Sequence, residues 1–155
     1  SAGADAAYRS AVVDDLRRAG ESARQKGIVV GVEFHRNTLT DSTESALALM
    51  DEVNHPNVRL YWQPPLGLSV EECLQSLAAV RKHLLCLHVF HWKPAAKGSD
   101  RRPLSEGEEA WCAYFDGVDK PSIHWAMLEF VRGDLPEQFL ADAATLRSWM
   151  ERMKS

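Results

Sequence analysis

The chain has 155 residues, the size of one ordinary domain, and its 45% hydrophobic and 26% charged residues are the composition of a globular protein with its own core. A formal charge of -4 and a pI near 5.8 leave no basic surplus for a phosphate backbone, which argues against nucleic acid as the main partner. No apolar run reaches the length of a membrane span, and the start Ser1-Ala2-Gly3-Ala4 lacks the basic and apolar regions of a signal peptide, so a cytoplasmic protein is expected. Cys73, Cys86 and Cys112 are odd in number, widely spaced and set among apolar residues, and are read as reduced core thiols.

From Asp5 to about Lys26, Tyr8, Val12, Leu16 and Ala19 or Ala23 recur at three- and four-residue steps, which predicts an amphipathic helix closed by Gly27. The β-branched run Ile28 to His35 predicts a first strand ending in Glu33 and His35. Asp41 or Ser42 caps a second helix carrying Ala46, Leu47, Leu49, Met50 and Val53. Val58 to Gln63 predicts a second strand, stopped by Pro64-Pro65, with Gln63 and Tyr61 on one face. Ser69 and Glu72 form a capping box for a helix running to about His83.

Leu84 to Trp92 is a nearly continuous apolar run with His88 and His91 toward its end, as expected of a parallel strand covered on both faces. Cys86 and His88 share one face, and His91 has the opposite parity. Lys93 to Gly107 reads as a polar loop, long enough to suggest a functional role. A helix is expected from Glu108 to Phe115. Ser122 to Val131 is a fourth apolar run, interrupted by Glu129, and Asp134 with Pro136 opens a last helix whose apolar face is Phe139, Leu140, Ala143, Leu146, Trp149 and Met150.

Strict alternation of helix and strand implies an α/β fold with a parallel sheet, and the whole chain, 1–155, reads as a single domain. Sites in such folds lie at the C-terminal ends of the strands, which here carry Glu33, Gln63, His88 and Glu129. Two carboxylates, an imidazole and an amide oxygen make an N/O site for Mn²⁺, Mg²⁺, Co²⁺ or Zn²⁺. Without an ion or a shared proton, two buried carboxylates would repel each other, so their presence argues for a function. Glu33 and Glu129 can also serve as an acid/base pair flanking a sugar while the ion polarises its carbonyl. The chain has no P-loop, no G-x-G-x-x-G, no G-x-S-x-G and no C-x-x-C.

Several stretches carry a resemblance. They are Gly31-Val32-Glu33-Phe34-His35 with Thr38-Leu39-Thr40-Asp41, Tyr61-Trp62-Gln63-Pro64, Leu87-His88-Val89-Phe90-His91-Trp92, Asp100 to Gly107, and Leu128-Glu129-Phe130-Val131 through Asp142 to Leu146. With them the chain resembles the C-terminal half of a sugar phosphate isomerase/epimerase of the xylose isomerase-like TIM-barrel superfamily. The resemblance implies a partial (β/α)8 barrel holding strands five to eight, with Glu33 and Glu129 as metal ligands and catalytic pair and His88 as a ligand. It also implies that Arg101 contacts substrate oxygens and that His35 and His91 lie beside the site and bind substrate. The family's usual ligand on the sixth strand is an aspartate, and Gln63 in its place removes one negative charge.

The activity so implied is a metal-dependent isomerase or epimerase acting on a sugar or sugar phosphate through an enediolate. A catalytically inactive half barrel and a metal-dependent, endonuclease-like phosphodiesterase are the alternatives, and the acidic net charge disfavours the second. A complete barrel needs about 250 residues, so the chain is expected to be a truncated barrel, to pair with a complementary N-terminal half, or to form a homodimer. Trp62 and Trp92 are open to either rim packing or sugar stacking, Trp125 is assigned to packing, and His55, His83 and His124 are assigned to the surface or to caps.

Overall fold

The computed structural model describes residues 3–95, 99–118 and 125–152. Helix α1 (Ala6–Arg24) starts on Asp5, whose carboxylate accepts the Tyr8 amide at 2.7 Å, and the chain leaves it through Gly27 at φ +67°. Strand β1 (Val30–Glu33) is shorter than the run that encodes it. Ser42, rather than Asp41, caps α2 (Thr43–Val53), and Asn54 closes that helix in the left-handed region. Strand β2 (Val58–Trp62) leads through the Pro-Pro turn to α3 (Val70–Val80), whose Ser69–Glu72 capping box forms as expected.

The apolar run 84–92 does not form one strand. It breaks at Phe90 into β3 (Leu84–Val89) and β4 (His91–Pro94), and β4 pairs antiparallel with β5 (Ser99–Arg102). The polar segment after Trp92 is therefore a two-stranded ribbon, not a plain loop. Lys93 stands opposite Asp100 and Trp92 opposite Arg101. Such cross-strand pairs stabilise a ribbon without the apolar alternation that marks a half-buried strand. A 3-10 turn (Leu104–Gly107) leads into α4 (Glu108–Asp116), and β6 (Trp125–Leu128) and α5 (Pro136–Arg152) complete the chain. His124, and residues 122–123 of the fourth apolar run, lie outside the described residues.

The main sheet has the order β1-β2-β3-β6 and is parallel throughout, giving four staves of a partial TIM barrel. Val58, Leu60 and Trp62 alternate toward the helices, where Leu49, Val53, Leu77, Val80, Trp111 and Phe115 complete a dry core. Buried Asp142 accepts the Leu104 amide at 2.9 Å and the Gln138 amide at 2.8 Å, tying α5 to the 3-10 turn. Asp134 does not cap α5; it sits in a 3-10 turn at φ +52° and its carboxylate takes Arg101 at 2.7 Å.

The opposite face of the sheet, the barrel interior, is only partly covered. Trp125, assigned to packing from its sequence, is 55% exposed there, and Met127 is 39% exposed. All three cysteines are free thiols, and burial pushes Cys86 up to about 11. His55 accepts the Asn57 amide at 3.1 Å as a local cap, whereas His83 is half-buried with an unpartnered Nε2, and burial pushes its pKa down. Among the described residues, no helix is long and apolar enough to cross a membrane.

Candidate active site

The parallel register is staggered: Glu33 stands opposite Tyr61, Tyr61 opposite Cys86 and Cys86 opposite Trp125, so Gln63 and His88 lie two residues, and Glu129 four, further along their strands than Glu33. Glu33 closes β1, Gln63 follows β2 directly, His88 is the penultimate residue of β3, and Glu129 follows β6 with its amide donating to Val89 O at 3.0 Å. Period-two alternation turns Glu33, Tyr61 and His88 to the barrel interior, away from Leu60, Trp62 and Leu87. The turn after β1 is fixed from below, since buried Thr40 donates to Glu33 O and Thr38 Oγ1 donates to His35 O at 2.7 Å.

Glu33, His88 and Glu129 converge. The His88 Nδ1 lies 3.2 Å from Glu129 Oε2 and 3.4 Å from Glu33 Oε1, and one ligand atom from each of the three falls within 4.8 Å of the others. The Glu129 carboxyl is held above the usual carboxylate range, first by burial; the nearby His88 opposes this and the charge of Glu33 adds to it. The His88 ring is supported by Tyr61, with centroids 5.2 Å apart and planes at 54°.

The donor set fits a divalent ion. Gln63 Oε1 is buried and makes no hydrogen bond, although buried polar atoms are almost always satisfied, and the buried His88 Nδ1 and Glu129 Oε2 approach each other at 3.2 Å as an ion pair that lacks hydrogen-bond geometry. Both oxygens carry lone pairs, and His88 Nδ1 does so in the tautomer with its proton on Nε2. Neighbouring ligand atoms around a metal at about 2.0–2.2 Å stand about 3.0–3.5 Å apart, the range of both His88–carboxylate distances. Gln63 donates its amide to Phe34 O at 2.5 Å, which orients the side chain and leaves its oxygen unpartnered.

Beside the cluster, a cavity of about 360 Å³ opens between the loops after β1 and β2 and the ribbon, with His35, Arg36, Gln63, Pro64, Trp92 and Phe130 in its wall. His35 is exposed and lines this cavity, as does Trp92. Arg101 stands next to it, bound to Asp134 and with its guanidinium 5.2 Å from the Phe130 ring centroid. A larger groove of about 510 Å³ runs along the open edge between β6 and α5, past Met127, Phe139 and Met150, but it holds none of the ligand set.

Two residues expected at the substrate are placed elsewhere. Trp62 is fully buried on the helix side of the sheet, its indole N–H donating to Ser76 Oγ at 3.1 Å, because its parity is opposite to that of Tyr61 and Gln63. His91 turns toward α4 with a buried, unpartnered Nε2 and packs on Gly107, where a Cβ would lie 2.8 Å from its Nδ1; burial pushes its pKa down. Sequence reasoning placed Tyr61 on the face of Gln63 but gave it no role beside His88, and it gave none to Phe130. Gly31 was the available signal for Tyr61, because its bare backbone lies under that ring.

Solved structures share this architecture. A probable 3-DHS dehydratase involved in petrobactin synthesis, from Bacillus anthracis, is 24% identical with a TM-score of 0.71 over 92% of this chain and 57% of its own. A xylose isomerase-like TIM barrel protein from Mycobacterium smegmatis, solved in complex with magnesium, is 17% identical with a TM-score of 0.72 over 97% of this chain and 51% of its own. D-allulose 3-epimerase from Methylomonas sp. is 18% identical with a TM-score of 0.64 over 89% of this chain and 48% of its own. At these identities the likeness is one of fold, and the chain spans about half the length of the structures it matches. No curated protein matches the sequence significantly. The family model for the xylose isomerase-like TIM barrel matches residues 1–152, so the chain belongs to that family.

Proposed function

We propose that the chain supplies the catalytic ligand set of a metal-dependent isomerase or epimerase acting on a sugar or sugar phosphate. The carrying observation is the convergence of Glu33 and Glu129 on His88, beside the unpartnered oxygen of Gln63. Glu33, Gln63, His88 and Glu129 would hold the ion. When bound, a divalent ion supplies Lewis acidity toward a carbonyl and its neighbouring hydroxyl.

The chain's own residues do the rest. One glutamate takes the proton from the carbon beside the carbonyl, the C–H electron pair moves toward the carbonyl oxygen to give an enediolate, and the other glutamate returns a proton to carbon. Return to the opposite face of the same carbon gives an epimer; return to the former carbonyl carbon, with the proton of the neighbouring hydroxyl passing to the former carbonyl oxygen as the new C=O forms, gives an isomer. His35 and Arg101 would bind substrate hydroxyls beside the cavity, while Trp92 offers a ring for a sugar face. The test is deuterium exchange from solvent into candidate ketoses with Mn²⁺ present. Exchange that is lost on Glu33→Gln and Glu129→Gln is expected, and no exchange with metal bound would sink the reading for this chain.

A second reading has its own observation. Among the described residues β1 and β6 are the unpaired parallel edges of the sheet, and Trp125 and Met127 face its partly covered interior. On this reading the 155-residue chain alone is inactive and acts only when a complementary N-terminal half barrel, or a second copy, closes it. Exchange that appears only on adding the complementary half, or only in a dimer fraction, identifies that case.

A further inference from the structure

Phe130 follows Glu129 directly and has φ +51°, a left-handed conformation that bulky residues rarely adopt. Such outliers persist only where surrounding contacts over-determine them, and here the contacts are explicit. The Phe130 ring stacks on Trp92 with centroids 5.1 Å apart and planes at 25°, and meets Phe90 edge-on at 5.2 Å. The Arg101 guanidinium lies 5.2 Å from the ring centroid and is itself held by Asp134 at 2.7 Å. The β4–β5 ribbon is thereby clasped to the segment after β6. In a continuing strand, residue 130 would point to the face opposite Glu129; instead it borders the cavity at the strand ends.

We propose that Phe130 is a positioning residue for Glu129, in which aromatic packing against the ribbon holds a turn that keeps the Glu129 carboxylate beside His88 and Glu33. The inference rests on reading Glu33, His88 and Glu129 as a ligand set, and two separate readouts on the full chain test it. The first is the Mn²⁺ dissociation constant, measured by electron paramagnetic resonance. Residues that orient metal ligands typically change affinity by about 10–100-fold, so Phe130→Ala, which removes the ring and keeps the Cβ that disfavours the turn, should weaken Mn²⁺ binding within that range, Arg101→Met should weaken it less, and Phe130→Tyr should nearly match the parent. A purely structural role would lower thermal stability and leave the Mn²⁺ constant unmoved, and that result would overturn the proposal.

The second readout is a crystal structure of Phe130→Ala, or of Arg101→Met should the alanine variant fail to fold. A Glu129 carboxylate still about 3.2 Å from His88 Nδ1, as in the parent, overturns the proposal, and one swung out of reach sustains it. Absence of Mn²⁺ binding by the parent would refute the ligand-set reading instead, and the crystal structure would still decide the role of Phe130.

Discussion

Gly31 and Tyr61 occupy one volume. A Cβ built on Gly31 would lie 1.8 Å from Tyr61 Cε1, so the Tyr61 ring can lie across β1 only because residue 31 has no side chain. That ring in turn packs against His88. Gly31→Ala is expected to drive Tyr61 off β1, to destabilise the protein by about 1–3 kcal/mol as overpacking does, and to weaken Mn²⁺ binding by unseating His88. Urea denaturation and Mn²⁺ titration measure the two effects. Adding Tyr61→Ala should recover part of the stability but not the metal affinity, since the clash goes while the support for His88 does not return. A stability cost that simply adds between the two sites would refute the coupling.

Gln63 contributes a neutral oxygen where the family's resemblance leads one to expect an aspartate. Gln63→Asp adds a third carboxylate near Glu33 and Glu129 and loses the amide that donates to Phe34 O, so the metal-free variant should be less stable than the parent. Ligand charge count tunes the affinity of carboxylate sites, so the variant should also bind Mn²⁺ more tightly, by roughly tenfold. Mn²⁺ should therefore raise its melting temperature more than it raises the parent's. A smaller metal-induced shift in the variant would place Gln63 outside the ligand set.

The alternation of strands and helices, and the polar residues at the strand ends, were legible because they are written in local pattern. Apolar runs alternate with helical periods, and each run closes on Glu33, Gln63, His88 or Glu129. Parity assigned His88 and His91 to opposite faces of one strand, but the strand breaks at Phe90, so His91 owes its place to the break and the ribbon that follows. The same rule, applied to Trp62 and Gln63, would have sent the tryptophan to the helices; chemical suitability for sugar stacking competed with parity, and parity prevailed. The ribbon was missed because both of its faces carry polar residues and Arg101, Asp100 and Lys93 mask any period of two. The left-handed Phe130 has no sequence signal at all, since its conformation comes from Trp92, Phe90 and Arg101, which are distant in the chain.

Trp62 is a structural residue in this geometry. Trp62→Phe removes the indole N–H that donates to Ser76 Oγ, while Ser76 keeps its bond from Thr43 Oγ1 at 2.7 Å. One neutral hydrogen bond of this kind is worth about 1 kcal/mol, and the smaller ring leaves a cavity at a fully buried position that adds to it, so the loss should show as a lower denaturation midpoint. Mn²⁺ affinity and sugar binding should not change. A fall in sugar affinity without a fall in stability would return Trp62 to the substrate.

The raised Glu129 carboxyl makes stability depend on pH in a direction that can be worked out. Burial comes first among its causes, and in the metal-free protein it keeps the proton on native Glu129 above the ordinary carboxylate range. Between the unfolded value of about 4.3 and the raised native one, the native state therefore binds more protons than the unfolded state. Stability from this group is complete below the unfolded value and is lost as pH rises through the native one. Glu129→Gln removes that dependence, so the stability difference between parent and variant should shift in favour of glutamine as pH rises from 4 into the neutral range. Saturating Mn²⁺ should reverse the order, because a metal-bound carboxylate must be deprotonated and binding then favours the parent's native state. A metal-free difference that stays flat across that range would show that Glu129 titrates normally and that its burial does not tune it.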